Sequence, residues 1–141
     1  MVLIKFSLNI LLFVLFGSVA ADVKIFVTNQ GSDSVSVFSF TGRFDLLKEI
    51  EVGNAPAGVA VSSVNREVYI SNTESSEISV IDVDALEIKR TIKLNGSSLG
   101  VAVSPDGKRL FVSDWFNNCL AIIQLDSQNA RCVDVGRAPA G

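Results

Sequence analysis

The residues able to do chemistry in this 141-residue chain are few, and the first fact about them is an absence, since no histidine occurs anywhere. That removes Ser-His and Cys-His nucleophile pairs, His-bearing zinc sites and the C-x-x-C-H haem attachment together. Serine with lysine, or paired carboxylates, is what remains. The two cysteines, Cys119 and Cys132, are too far apart for a C-x-x-C redox motif. The basic side chains stand singly or in pairs (Lys89-Arg90, Lys108-Arg109) and form no positive stripe, so nucleic acid is not an expected partner. No catalytic or metal-binding residue and no cofactor is expected from this inventory.

One aromatic cluster stands out. Trp115-Phe116-Asn117-Asn118 combines two large rings with two amides. Such a group suits contact with a protein or a carbohydrate-like ligand, because rings supply area and amides supply hydrogen bonds. The alternative is that the rings fold down as packing. The other copies carry Gln30-Gly31 and Thr73-Glu74 where this one has Trp115-Phe116, and Asn29-Gln30 and Asn72-Thr73 are the polar comparisons on the same expected face.

The elements that position these residues are set by repetition. Gly58-Val59-Ala60-Val61-Ser62 returns unchanged as Gly100-Val101-Ala102-Val103-Ser104, 42 residues later. Glu67-Val68-Tyr69-Ile70-Ser71-Asn72 matches Arg109-Leu110-Phe111-Val112-Ser113-Asp114 and Lys24-Ile25-Phe26-Val27-Thr28-Asn29. Ile78-Ser79-Val80-Ile81-Asp82 matches Val35-Ser36-Val37-Phe38-Ser39 and Leu120-Ala121-Ile122-Ile123-Gln124. Val52-Gly53-Asn54-Ala55-Pro56-Ala57-Gly58 returns as Val135-Gly136-Arg137-Ala138-Pro139-Ala140-Gly141. A fixed period of this length marks a repeat architecture.

Each full copy resolves into four short strands rich in Val and Ile, parted by turn residues. In the central copy they fall near Gly58 to Ser62, Glu67 to Ser71, Glu77 to Val83 and Ile88 to Leu94. Val68-Tyr69-Ile70 and Val80-Ile81 are apolar at consecutive positions and must bury both faces, as stacked blades do. Ser104-Pro105-Asp106-Gly107 is a tight turn, which makes Asp106 a turn residue. The fold class is therefore all-β, an open piece of a β-propeller with four-stranded antiparallel blades. The repeats run over 22–53, 54–95 and 96–136, and another opens at 137–141. The first copy starts at its second strand, so the chain reads as an incomplete propeller whose whole would have about six to eight blades.

The chain resembles the YVTN β-propeller repeat proteins. Phe26-Val27-Thr28-Asn29 departs from the family's name motif only in Phe for Tyr, Tyr69-Ile70-Ser71-Asn72 and Phe111-Val112-Ser113-Asp114 are looser copies, and Val101 to Lys108 and Ser34 to Val37 resemble its first- and third-strand signatures. The resemblance implies an exported or surface-layer propeller and no single activity.

Residues 1–21 read as a signal peptide, with Lys5, an apolar run from Ile10 to Phe16, and small residues up to Ala21. The run is shorter than a membrane span requires, so no span is expected after cleavage. The remainder holds 11 basic against 15 acidic residues, a difference of −4. Export to the periplasm, cell surface or exterior follows. The expected function is a noncatalytic binding or scaffolding module of the envelope. The alternatives are a subunit of a haem- or quinone-dependent periplasmic enzyme, and a structural surface-layer component.

Loops at one end of a propeller carry function. The connections Asn29 to Ser34, Asn72 to Ser76 and Asp114 to Asn118 are expected to share an end with the interblade links Gly53 to Ala57, Asn95 to Leu99 and Gly136 to Ala140. The cysteines lie on adjacent strands of one blade. With Asp126 to Ala130 as the turn, Leu125 pairs near Arg131 and Cys119 faces Gly136 to Arg137. An offset of about five residues puts the sulfurs on the order of 16 Å apart, so two free thiols are expected.

Overall fold

The computed structural model describes residues 23–140, all but a short turn of them in strands and loops. The expected signal segment, 1–21, lies outside the described residues. Among the described residues eleven strands run in chain order: β1 (Val23–Asn29), β2 (Ser34–Phe40), β3 (Phe44–Glu51), β4 (Pro56–Ser62), β5 (Glu67–Asn72), β6 (Glu77–Asp82), β7 (Glu87–Lys93), β8 (Ser98–Val103), β9 (Arg109–Asp114), β10 (Cys119–Gln124) and β11 (Ala130–Asp134). They form three antiparallel meanders, β1 to β3, β4 to β7 and β8 to β11, which are the expected blades. We call them blades 1, 2 and 3. Blade 1 has three strands, while blades 2 and 3 have four.

Burial on both faces, as the consecutive apolar residues require, is complete in β5, where all six residues are buried. Its Val68 and Ile70 pack with Ile81 against Val35, Val37 and Ile50 of blade 1. Its Tyr69, with Ile78, Val80 and Ile92, packs against Leu110, Val112 and Ile123 of blade 3. Each fully buried chain of this size contributes roughly 1.5–3 kcal/mol, so the two interblade cores hold the fan together. The faces turned away from blade 2 carry exposed apolar residues instead, among them Val27, Phe40, Phe44 and Leu46 on blade 1 and Val133 on blade 3. The rings of Phe40 and Phe44 lie 4.8 Å apart.

Turn chemistry sets the register. In the Ser104-Pro105-Asp106-Gly107 turn, the Gly107 amide donates to the Ser104 carbonyl at 2.8 Å, and Gly107 takes φ +69°. The Asp106 carboxylate accepts from the Lys108 amide at 3.1 Å, which confirms a turn role. The β6–β7 and β10–β11 hairpins close alike: Leu86 (φ 54°) donates to Asp82 at 2.9 Å and Gln128 (φ 57°) donates to Gln124 at 2.8 Å.

The three outer strands differ in one respect. Amides of Val52, Leu94 and Val135 bond to the carbonyls of Asp33, Ser76 and Asn118, so these residues are equivalent. Val52, Leu94 and Val135 stand 42 and then 41 residues apart, the third copy being one residue shorter than the second. The register shifts between Val37 and Phe38 in blade 1 and between Val80 and Ile81 in blade 2, leaving Leu47 and Lys89 as bulge residues. Strand β11 pairs with β10 without a shift. The missing residue of the third copy is the bulge.

The expectation of two free thiols is corrected, because Cys119 and Cys132 form a disulfide with Cα atoms 5.7 Å apart. The turn is tighter than expected. Its loop is Leu125 to Gln128, with the Gln124 amide bonded to the Asn129 carbonyl and Ile123 paired with Ala130. Cys119 therefore opposes Asp134, while Cys132 opposes Ala121. The offset is two residues, which keeps both sulfurs on one face of the sheet. With a bulge in β11, Cys132 would have opposed Ile122 on the other face.

Candidate functional site

The β1–β2, β5–β6 and β9–β10 loops do share an end with the interblade links. The Thr73 amide donates to the Ala55 carbonyl at 3.1 Å, Trp115 donates to Ser97 at 3.3 Å, and the Ala138 amide donates to Asn118 Oδ1 at 2.9 Å. Each loop reverses through a left-handed residue, Asp33, Ser76 or Asn118, at φ 52–53°. That conformation suits Asp and Asn best among residues with a side chain.

The candidate residues divide into holders and presenters. Asn29 Nδ2 donates to Ser34 Oγ at 3.1 Å and Ser36 Oγ at 2.8 Å. Asn72 is fully buried, and its Nδ2 donates to Ser79 Oγ at 2.8 Å. Thr73 Oγ1 donates to the Ala55 carbonyl at 2.9 Å. Asn117 donates to Asp114 through its amide at 3.1 Å and through Nδ2 at 2.7 Å. Asn118 supplies the left-handed turn and the bond to Ala138. These five hold the loops in shape. Gln30, Trp115 and Phe116 face solvent, Trp115 being 41% and Phe116 75% exposed. Among the described residues the aromatic pair is not packed between blades 2 and 3.

Phe116 and Asn117 line a cleft of about 670 Å³ whose other wall is Thr73, Glu74 and Ser76, floored by Leu94 to Ser97. The structure brings Thr73 to the aromatic loop and leaves Asn29 and Gln30 outside the cleft. Behind the same floor, a second pocket of about 230 Å³ opens between blades 2 and 3, with Asp114 in its wall.

At the opposite end, Glu67 is 4% exposed. Arg90 grips it with Nη1 to Oε1 at 2.6 Å and Nη2 to Oε2 at 2.9 Å, Lys89 Nζ lies 3.0 Å from Oε1, and the Tyr69 hydroxyl donates to Oε2 at 2.6 Å. Neighbours along a strand normally point to opposite faces; the bulge at Lys89 lets Lys89 and Arg90 reach one carboxylate. Burial pushes the Glu67 carboxyl up, but the hydrogen bonds from Arg90, Tyr69 and Lys89 outweigh it and bring the pKa to about 2. Asn65 Nδ2 extends the network to Tyr69 Oη at 3.1 Å and across to the Gly107 carbonyl of blade 3 at 2.7 Å. This network was not legible as a site, and its satisfied geometry fits a rivet between blades. Among the described residues, no group of three or more His, Cys, Asp or Glu is placed to hold a metal ion, and no helix is long and apolar enough to cross a membrane.

Radially stacked antiparallel meanders with loops gathered at one end define a segment of a β-propeller. The chain belongs to the YNCE-like β-propeller family, whose profile matches residues 12–141. That places it in a propeller repeat family, without reaching the surface-layer type. Among solved structures it is similar to Kuenenia stuttgartiensis hydrazine synthase, with 25% identity and a TM-score of 0.71 over 80% of this chain and 34% of that one. It is similar in fold to dihydro-heme d1 dehydrogenase NirN in complex with DHE, with 19% identity and a TM-score of 0.67 over 82% of this chain and 26% of that one. Virginiamycin B lyase from Staphylococcus aureus gives 18% identity and a TM-score of 0.68 over 88% of this chain and 43% of that one. The chain thus spans between about a quarter and under half of the length of these proteins. Among curated proteins none matches.

Proposed function

We propose that the chain is part of an exported propeller that binds a protein or carbohydrate-like partner, without catalysis, through the loop end of blade 3. The observation that carries this reading is the exposed Trp115-Phe116 pair beside a cleft, at a place where the other two copies present Gln30-Gly31 and Thr73-Glu74. Exposed rings on a rigid loop are costly to leave in water and supply large contact area when covered. Export is supported by the signal-like segment 1–21 and agrees with the disulfide, which needs an oxidising compartment to persist. The test replaces Trp115 and Phe116 by Thr and Glu in the complete protein. Partner retention on a glycan array and in an envelope fraction should fall while thermal unfolding is unchanged; retained binding would overturn the reading.

A second reading, a subunit of a haem-related enzyme, is motivated by the likeness in fold to dihydro-heme d1 dehydrogenase NirN together with the 25% identity to hydrazine synthase over 80% of this chain. On that reading the chain is one propeller segment of an enzyme whose reactive groups lie elsewhere, since it holds no histidine. Purification of the complete protein with a visible haem spectrum would select it.

A further inference from the structure

Blade 3 departs from the repeat at four places that converge on one pocket. Asp114 stands where the other copies have Asn29 and Asn72, and Gly96 stands where blade 2 begins with Asn54. Ala130, opposite Ile123, stands where Leu46 opposes Phe38 and Ile88 opposes Ile81. Cys132, paired with Ala121, completes the wall.

The polar end of this pocket is a carboxylate. Asp114 is 8% exposed, and its two oxygens accept from the amide and Nδ2 of Asn117. A Cβ on residue 96 would lie 1.8 Å from Asp114 Oδ2, so glycine is what lets the carboxylate sit there. Among the described residues no basic side chain forms an ion pair with it. Of the basic residues in the pocket wall, Lys93 is paired with Glu77, and Arg131 opposes Ile122, in register with the other face of the sheet. A buried carboxylate without a cation is costly, and a cationic ligand would offset that cost. The other end is apolar, formed by Ile92, Leu94, Val112 and Ile123. The exchange of Ile or Leu for Ala at 130 removes side-chain bulk there. At about 230 Å³ the pocket is larger than the roughly 150 Å³ that accommodates benzene in an apolar cavity.

We propose that this pocket binds a small amine, with one ring or a short branched alkyl group between Ile92 and Ile123 and its ammonium group on Asp114. The site adjoins the aromatic cleft but does not depend on that cleft having a partner. Benzylamine is the probe, with benzyl alcohol and benzoate as neutral and anionic counterparts, titrated into the complete protein by calorimetry. Benzylamine should bind, benzyl alcohol more weakly, and benzoate not at all. D114N restores the residue of the other two copies and should weaken benzylamine by roughly ten- to a hundredfold, the range of a charge-assisted hydrogen bond, while leaving benzyl alcohol unchanged. A130I fills the apolar end and should abolish both. The Trp115/Phe116 double variant should keep benzylamine, which separates this pocket from the loop-face reading. Failure of benzylamine to bind the unaltered protein at millimolar concentration would overturn the proposal, as would D114N binding it equally well.

Discussion

Cys132 lies diagonally across from Cys119, two positions out of direct register, and the disulfide between them occupies a place that each blade fills differently. In blade 1 the equivalent diagonal is a hydrogen bond from Ser34 Oγ to Glu49 at 2.7 Å. In blade 2 Glu77 instead pairs with Lys93. The outer strand is the one with least packing, and in β11 every residue is exposed, so a covalent tie there compensates for contacts it does not make.

The first prediction follows from that tie. Replacing both cysteines by alanine should lower stability by about 2–3 kcal/mol, the scale for closing a loop of this length. Peptide mapping without reductant should recover Cys119 and Cys132 in one crosslinked species. Two separately alkylated thiols would contradict the β10–β11 register.

A second prediction concerns acid. The Glu67 carboxyl is held at about 2 in the folded chain, below its ordinary value of 4.5. A depressed pKa contributes stability that is present in full above the unfolded value and is lost as pH falls from about 4.5 through about 2. The contribution is on the order of 3 kcal/mol. Unfolding midpoints measured between pH 6 and pH 2 should fall accordingly. E67Q should flatten that part of the profile and be less stable near neutrality, because Arg90 loses its charged partner.

The interblade rivet gives a third. N65A removes the bonds from Asn65 to Tyr69 Oη and the Gly107 carbonyl, and should cost about 1–2 kcal/mol. Hydrogen exchange should quicken in the Ser104 to Lys108 turn before it does so in β1 to β3. Uniform acceleration across all three blades would argue that the contact does not tie blade 2 to blade 3.

A fourth concerns the aromatic loop. Trp115 and Phe116 are exposed, so the double change to Thr and Glu should alter stability by no more than about 0.5 kcal/mol. A loss near the 3–5 kcal/mol expected for a buried ring would mean that the loop packs in the complete protein.

The fifth concerns the end faces. Val27, Phe40, Phe44 and Leu46 leave blade 1 with an exposed apolar face, so the 141-residue chain by itself should associate at micromolar concentration. Light scattering that gives a stable monomer, with cooperative unfolding, would contradict this.

Blades and strand order were legible from the sequence by itself, because the repeat shows one pattern three times and a period-two strand that buries both faces must read as apolar throughout, as Val68-Tyr69-Ile70 does. The role of Asp106 was also local, since Ser-Pro-Asp-Gly specifies its own turn. The aromatic loop was visible as a contrast between copies, but whether its rings pointed in or out was not, because exposure depends on the neighbouring blade. The disulfide was hidden by a turn misjudged by a few residues; the one-residue shortening of the third copy was the available signal. Glu67 and Arg90 are 23 residues apart and meet only through strand pairing and a bulge, and the Asp114 side chain becomes buried only when Gly96 and blade 2 close over it. Such sites are decided by which side chains a second strand or blade brings within hydrogen-bond reach, and distance through space is information that spacing along the chain does not carry.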